Sequence, residues 1–272
     1  MSGALTIIRR GWSTTLQDRG RPGLAHFGVP TSGPVDRPLA DLVNRVVGNP
    51  AGTTVFETAG GLVVRAEWPL VVAASPTGAP VSLQPGDELA IEPGERNVEY
   101  LAVRGGILAE QVLGSSSHDT LSGIGPDPVD DGARYEIGDD PRTPVHVDVA
   151  PLAEGPDRIR LWPGPRLDRF VDDAFDTMLA GRWRVTEFWS RVGVRLLGEA
   201  PARRRPVDGS NELPSEGLVL GAVQMPPSGE PVVMLPDHPT TGGYPVIAVV
   251  HVDDLGSFAR RRPGGTVRFV AA

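Results

Sequence analysis

The chain has 272 residues, with 34 acidic and 26 basic side chains, a formal net charge of −8 and no Cys. All 26 basic side chains are arginine, which excludes every reaction needing a lysine amine on this chain: Schiff-base and PLP chemistry, a Ser–Lys amidase, a lysine-bearing P-loop and a biotin carrier. The missing thiols exclude disulfides and thiolate metal ligands, the acidic balance argues against a nucleic-acid partner, and no run of about 20 apolar residues is present to cross a membrane.

In chain order, the charges of the first ten residues follow a short apolar patch, unlike a secretory signal, so a cytoplasmic location is expected. Residues 6–8 read as a first strand. A polar, glycine-rich segment follows and holds Gln17, Asp18 and Arg19, then leads into Ser32-Gly33-Pro34-Val35-Asp36. Leu39, Leu42, Val43, Val46 and Val47 recur at i, i+3, i+4, i+7 and i+8, which predicts a helix near 36–47. Asp36 is its candidate N-cap, Pro38 lies in its first turn, and Gly48-Asn49-Pro50 stops it.

Between 55 and 149, β-type runs at 61–65, 70–74, 88–92 and 98–103 alternate with turn-formers such as Pro85-Gly86-Asp87. Residues 123–132 have loop composition, and 153–157 form a candidate boundary. The second half opens with a strand at 158–162 and a helix near 169–180 that places Val171, Phe175 and Met178 on one side. Further strands are expected at 192–197, 217–223, 232–235 and 246–252, with a closing strand before 270. Strands this closely spaced predict an antiparallel barrel or sandwich. The expected fold is mainly β, in two β-rich lobes, 1–153 and 154–272, each with about one main helix.

Three constellations carry candidate chemistry. In the first, Thr240 and Thr241 precede Gly242 and Gly243, a segment whose backbone can approach a ligand and turn N–H groups toward an anion. Beside it, Asp237 is a candidate base or orienter and Tyr244 a candidate donor or stacking ring. The same composition describes a wide hairpin turn, and composition alone favours the turn. The second is Gln17-Asp18-Arg19-Gly20, where an adjacent Asp and Arg make a local ion pair more readily than a catalytic pair. The third joins Glu212-Leu213-Pro214-Ser215-Glu216-Gly217 to Gln224 and Ser228, for which turn chemistry also suffices.

None of the five histidines, His26, His118, His146, His238 and His251, has metal-ligand spacing. His146-Val147-Asp148 and His251-Val252-Asp253 each put a pair on one strand face, as a satisfied surface pair does. The clusters Arg203-Arg204-Arg205 and Arg260-Arg261-Arg262 read as solvated loops.

The stretches Thr14-Thr15-Leu16-Gln17-Asp18-Arg19-Gly20, Gly28-Val29-Pro30-Thr31-Ser32-Gly33, Gly221-Ala222-Val223-Gln224-Met225-Pro226 and Thr240-Thr241-Gly242-Gly243-Tyr244-Pro245 occur in that order. With them the chain resembles the family called allophanate hydrolase subunit 2, or biotin-dependent carboxyltransferase-like, over nearly its whole length. That family includes the C subunit of 5-oxoprolinase and the antagonist of the sporulation-kinase inhibitor. Gly114-Ser115-Ser116-Ser117 stands where the family often has Gly-Ser-Arg-Ser, a departure that bears on the substrate more than on the fold.

The resemblance implies a cyclophilin-like β-barrel architecture and a complex with a companion, subunit 1 or B, joined in the 5-oxoprolinase reading by the A subunit. The implied reaction is ATP-dependent opening of 5-oxoproline, a small-molecule substrate, to glutamate. ATP is used by the complex, and no cofactor is assigned to this chain. On that reading residues 17–19 and 240–244 line one cleft, with Asp18, Asp237 and Tyr244 as catalytic candidates. Gln17, Arg19, Ser32, Asp36, Arg191, Ser215, Glu216, Gln224, Thr240, Thr241, Gly242 and Gly243 are the substrate-binding candidates, Arg19 or Arg191 neutralising a carboxylate or phosphate. The alternatives are a carboxyltransferase, as in urea carboxylase, using carboxybiotin from another protein, and a regulatory subunit that binds a kinase-inhibitor-like partner. The missing lysine argues against an allophanate hydrolase proper, whose Ser–Ser–Lys machinery requires one.

Overall fold

The computed structural model describes residues 3–75, 78–145, 155–203 and 213–272. The chain divides into two compact units, the first made of Met1–Arg21 and Ser32–Ala153, the second of Pro22–Thr31 and Glu154–Ala272. The short excursion Pro22–Thr31 thus groups with the second unit.

The first unit holds β1 (Ala4–Arg10), β2 (Thr14–Gln17), α1 (Arg37–Val46), β3 (Val55–Thr58), β4 (Leu62–Ala66), β5 (Leu70–Ala74), β6 (Pro80–Leu83), β7 (Glu88–Ile91), β8 (Glu99–Val103) and β9 (Arg134–Glu136). These strands form two sheets, in the orders β7-β4-β1-β9 and β2-β3-β8-β5-β6. Leu5, Ile7, Leu62 and Val64 of the first sheet share one core with Leu16, Phe56, Val72, Leu101 and Val103 of the second. Alternate residues of each strand face this core, as the two-residue period of a strand requires.

Every residue of β8 is buried, because α1 packs against β8 and β5. The apolar stripe read from sequence supplies that face, with Leu39, Ala40, Val43 and Val46 buried. Asp36 caps the helix as expected, its carboxylate accepting the Leu39 N–H at 3.2 Å. The segment at 14–17, expected as part of a polar glycine-rich stretch, is instead the buried strand β2. Its hydroxyl and amide side chains find partners inside the unit, so polarity does not keep them at the surface.

The second unit holds β10 (Arg158–Pro163), α2 (Ala174–Ala180), β11 (Arg182–Trp189), β12 (Gly193–Leu197), β13 (Glu216–Gly217), β14 (Ala222–Gln224), β15 (Val232–Met234), β16 (Thr241–Gly242), β17 (Val246–Val250), α3 (Val252–Ala259) and β18 (Thr266–Ala271). Seven of these strands close into a barrel, in the order β10-β17-β14-β15-β12-β11-β18. Closure joins β10 to β18 in parallel, with Ile159 opposite Phe269, and leaves the barrel no open edge.

Three sequence expectations change here. β11 is not among the expected strands, although Trp183 and Val185 alternate inward between exposed Arg182 and Arg184. The helix near 169–180 begins only at Ala174, so Val171 lies outside it. The strand expected to reach 252 stops at Val250, since the His251 side chain accepts the Asp253 N–H and caps α3. His251 and Asp253 are therefore the start of a helix and not a pair on a strand face, and the unit has two helices where one was expected. Asp254, in the first turn of α3, binds the Arg160 guanidinium through both oxygens, at 2.9 and 2.7 Å.

Candidate functional site

In the first unit four motif side chains converge on one loop, Ser115-Ser116-Ser117-His118. The Asp18 carboxylate accepts the Ser115 hydroxyl at 2.5 Å, the Ser117 hydroxyl at 2.8 Å, the Ser116 N–H at 2.8 Å and the Gly20 N–H at 2.8 Å. The His118 carbonyl accepts the Gln17 amide at 3.0 Å and the Ser32 hydroxyl at 3.2 Å. The Arg21 guanidinium donates to the Ser117 carbonyl. Gly125, at φ +112°, is the floor beneath: a Cβ there would overlap the Ser117 carbonyl oxygen, so only glycine lets the two backbones approach. Ser32 adopts φ 57° without being glycine, a conformation that costs about 1–2 kcal/mol and persists where surrounding contacts hold it.

Arg19 does not pair with Asp18. It reaches back to the loop after α1, donating to the Ala51 carbonyl through Nε at 3.1 Å and Nη2 at 2.8 Å. Asp36 belongs to a buried group with Tyr100 and Glu57: the Tyr100 hydroxyl donates to Glu57 at 2.6 Å and accepts the Asp36 N–H at 2.9 Å. Burial, and then the charge of Glu57, push the Tyr100 hydroxyl pKa well above its ordinary value, so it remains a donor across the working pH range.

In the second unit Asp237 and Arg191 form a buried two-point ion pair, Nε to Oδ2 at 2.8 Å and Nη2 to Oδ1 at 3.0 Å. The Asp237 N–H also donates to the Arg191 carbonyl at 3.0 Å. Two parallel N–H···O bonds of this kind fix direction as well as distance. A groove of about 460 Å³ lies beside the pair, lined by Phe188, Trp189, Ser190, Arg195, Met234 and Pro239. The Arg195 guanidinium sits 5.1 Å from the centre of the Phe188 ring.

The expected glycine segment is only partly a turn. Thr241 and Gly242 form β16 and pair with β13, Glu216 opposite Gly242. No residue in 240–243 has a positive φ, so the backbone does not make the alternating nest that cups an anion. A Cβ on Gly242 would lie 2.6 Å from Gln224 Nε2 and 2.8 Å from a Leu218 methyl, so those two side-chain ends would have to shift to admit one. Gln224 in turn donates to the Tyr244 carbonyl at 3.1 Å. The Tyr244 ring is half exposed, Ser215 is exposed, and Glu216 is held by Arg166 at 2.8 Å.

The expected site residues therefore fall into groups: Gln17, Asp18 and Ser32 on the 115–118 loop, Arg191 with Asp237, and Glu216, Gln224 and Gly242 around β16. Gln17–Arg19 belong to the first unit and 240–244 to the second. His118 lacks ligand spacing and so is not among the expected site residues; the adjoining serine run is its only sequence signal. His146, Asp148, Arg204, Arg205 and Glu212 lie outside the described residues. Among the described residues, no cluster of His, Asp and Glu could hold a metal ion, and no helix is long and apolar enough to cross a membrane.

A family model described as carboxyltransferase domain, subdomain A and B, matches residues 27–271. The chain belongs to this carboxyltransferase family. The C subunit of the Escherichia coli 5-oxoprolinase is 34% identical to it, over 98% of this chain and 90% of the relative. The crystal structure of TTHA0988 superposes with a TM-score of 0.86 at 34% identity over 99% of this chain, which spans only 56% of that longer chain. The K. lactis urea amidolyase gives a TM-score of 0.86 at 25% identity, over 98% of this chain and 18% of that one. This carboxyltransferase-family fold thus occurs both as a separate named subunit and as a segment of larger polypeptides.

Proposed function

We propose that this carboxyltransferase-family chain is one component of an ATP-dependent 5-oxoprolinase-type complex that opens a cyclic amide to give glutamate. The observation that carries the proposal is the 34% identity to the C subunit of the E. coli 5-oxoprolinase across nearly the full length of both chains. A five-membered lactam is unstrained and a poor electrophile, so coupling to ATP is chemically apt. Transfer of the γ-phosphoryl group to the carbonyl oxygen releases ADP and makes the carbon open to water. Attack by water and breaking of the C–N bond then free the amine and leave an acyl phosphate, which a second water hydrolyses to the second carboxylate and inorganic phosphate. With no lysine on this chain, any P-loop lysine that the reaction uses would have to come from a companion subunit. Both oxygens of Asp18 and of Asp237 already accept hydrogen bonds, so we assign these two carboxylates to holding loops and not to moving protons.

The test is to purify the chain with and without its companion subunits and to supply 5-oxoproline and ATP. Glutamate and ADP from the full complex, and none from the chain alone, is the expected result. No glutamate from the full complex overturns the reading. The family description and the urea amidolyase likeness favour a second reading, carboxyl transfer from carboxybiotin held by another protein. Activity that requires bicarbonate and biotin would select it.

A further inference from the structure

The Asp18, Gln17, Arg21 and Ser32 side chains come from separate parts of the motif segments and all end on residues 115–118. Each of them bonds to this short stretch, through its backbone or through two serine hydroxyls, which is how a scaffold presents a loop. Within the loop, Ser115 and Ser117 direct their hydroxyls to Asp18. The imidazole of His118 does not join that network. Its Nδ1 lies 2.9 Å from the Pro126 carbonyl. A carbonyl only accepts, so Nδ1 carries the proton, and in the neutral ring Nε2 is left as an acceptor. Among the described residues Nε2 has no hydrogen-bond partner, and it is not among the sealed polar atoms. His118 itself is 7% exposed, so the ring is held by its surroundings with one edge open.

A second acceptor lies on β2, on the Gln17 side chain that contacts this loop. Gln17 is fully buried, and its Oε1 has no partner, while its amide nitrogen is committed to Thr15 and the His118 carbonyl. A flip of the amide would set oxygen against the His118 carbonyl, so the orientation is fixed. A buried carbonyl left without a donor costs about 1–3 kcal/mol and is resolved by a ligand or a water that donates.

We propose that the 115–118 loop is a ligand-binding loop in which His118 Nε2 accepts a hydrogen bond from the ring N–H of a cyclic amide. This rests on the lactam reading above and adds to it the recognition of the substrate nitrogen. A fixed acceptor discriminates strongly, because an analogue without the N–H leaves it desolvated and unpaired.

The experiment uses the full chain, labelled with ¹⁵N-histidine, in complex with its unlabelled companion subunits. The probes are 5-oxoproline and its N-methyl analogue, and the His118 signals are assigned by their loss in His118→Gln. The expected result is a shift of the Nε2 resonance with 5-oxoproline and none with the N-methyl analogue. In parallel, His118→Phe weakens 5-oxoproline binding about tenfold, the effect of one lost hydrogen bond, while His118→Asn retains the Pro126 contact and serves as the folding control. A complex that makes glutamate while the Nε2 signal ignores both probes overturns the inference and leaves the function intact. A complex that makes no glutamate but whose Nε2 signal responds to 5-oxoproline alone overturns the function and leaves the loop's role intact. Failure of both readouts removes both.

Discussion

Arg191 and Asp237 face each other edge to edge inside the second unit, with guanidinium-to-carboxylate distances of 2.8 and 3.0 Å and exposures of 7% and 0% for their side chains. The pair ties the start of β12 to the segment after β15. Removing one partner leaves the other charge buried, which typically costs about 3–5 kcal/mol. Asp237→Asn is expected to lower the unfolding free energy by about that amount, measured by urea titration. Arg191→Lys opposite an intact Asp237 is expected to lose stability as well, because an ammonium cannot make the two parallel bonds. A wild-type midpoint for Asp237→Asn would show that the pair is not closed in solution.

Asp18 holds the 115–118 loop through three donors and accepts a fourth from the Gly20 N–H. Asp18→Ala strands two serine hydroxyls and two backbone N–H groups, and hydrogen bonds to a charged acceptor are worth about 1.5–3 kcal/mol each before water replaces them. The expected outcome is a loss of about 3 kcal/mol, with faster amide exchange at Ser116 and Ser117 in particular. Unchanged exchange at those two amides would sink the cradle interpretation.

Gly242 lies so close to Gln224 and Leu218 that an added Cβ, 2.6 and 2.8 Å from their side-chain ends, would force those ends to move. Gly242→Ala is expected to cost about 1–3 kcal/mol by overpacking. Shortening the neighbour relieves it, so Gly242→Ala with Gln224→Ser is expected to lose less than the sum of the single changes. Strict additivity in the double-mutant cycle would remove the steric explanation.

The Arg160 guanidinium, hydrogen-bonded to Asp254, holds that carboxyl below its ordinary value of 3.8. A carboxyl depressed in the folded state contributes stability above its unfolded value and loses it as pH falls through the folded one. The deficit of Asp254→Asn relative to wild type is therefore expected to be full near neutrality and to shrink below about pH 4. Thermal unfolding of both proteins from pH 7 to pH 3 checks this, and a deficit that grows on acidification would contradict it.

What was legible in the sequence is what neighbouring residues decide together. The stripe Leu39, Val43 and Val46 and the cap Asp36 are close in the chain, and α1 forms where they place it. The β-type runs at 70–74 and 98–103 become β5 and β8 with little change. The failures are also physical. The apolar run through Val250 into Val252 looks like one strand until His251 caps a helix whose first turn is anchored by Arg160, far back on β10. Polar Thr14, Thr15 and Gln17 look like a surface loop until their partners appear inside the first unit.

The sequence by itself determined the chemistry this chain cannot supply, since no lysine and no cysteine means no such atom anywhere. It also determined the mainly β character, because strand and turn preferences act within a few residues. Only the tertiary structure decided what the motif carboxylates do. Asp18 meets serines 97 and 99 residues away, and Asp237 meets an arginine 46 residues away. A carboxylate takes the nearest donors in space, and those are chosen by how the sheets and the barrel close, not by what stands beside it in the chain.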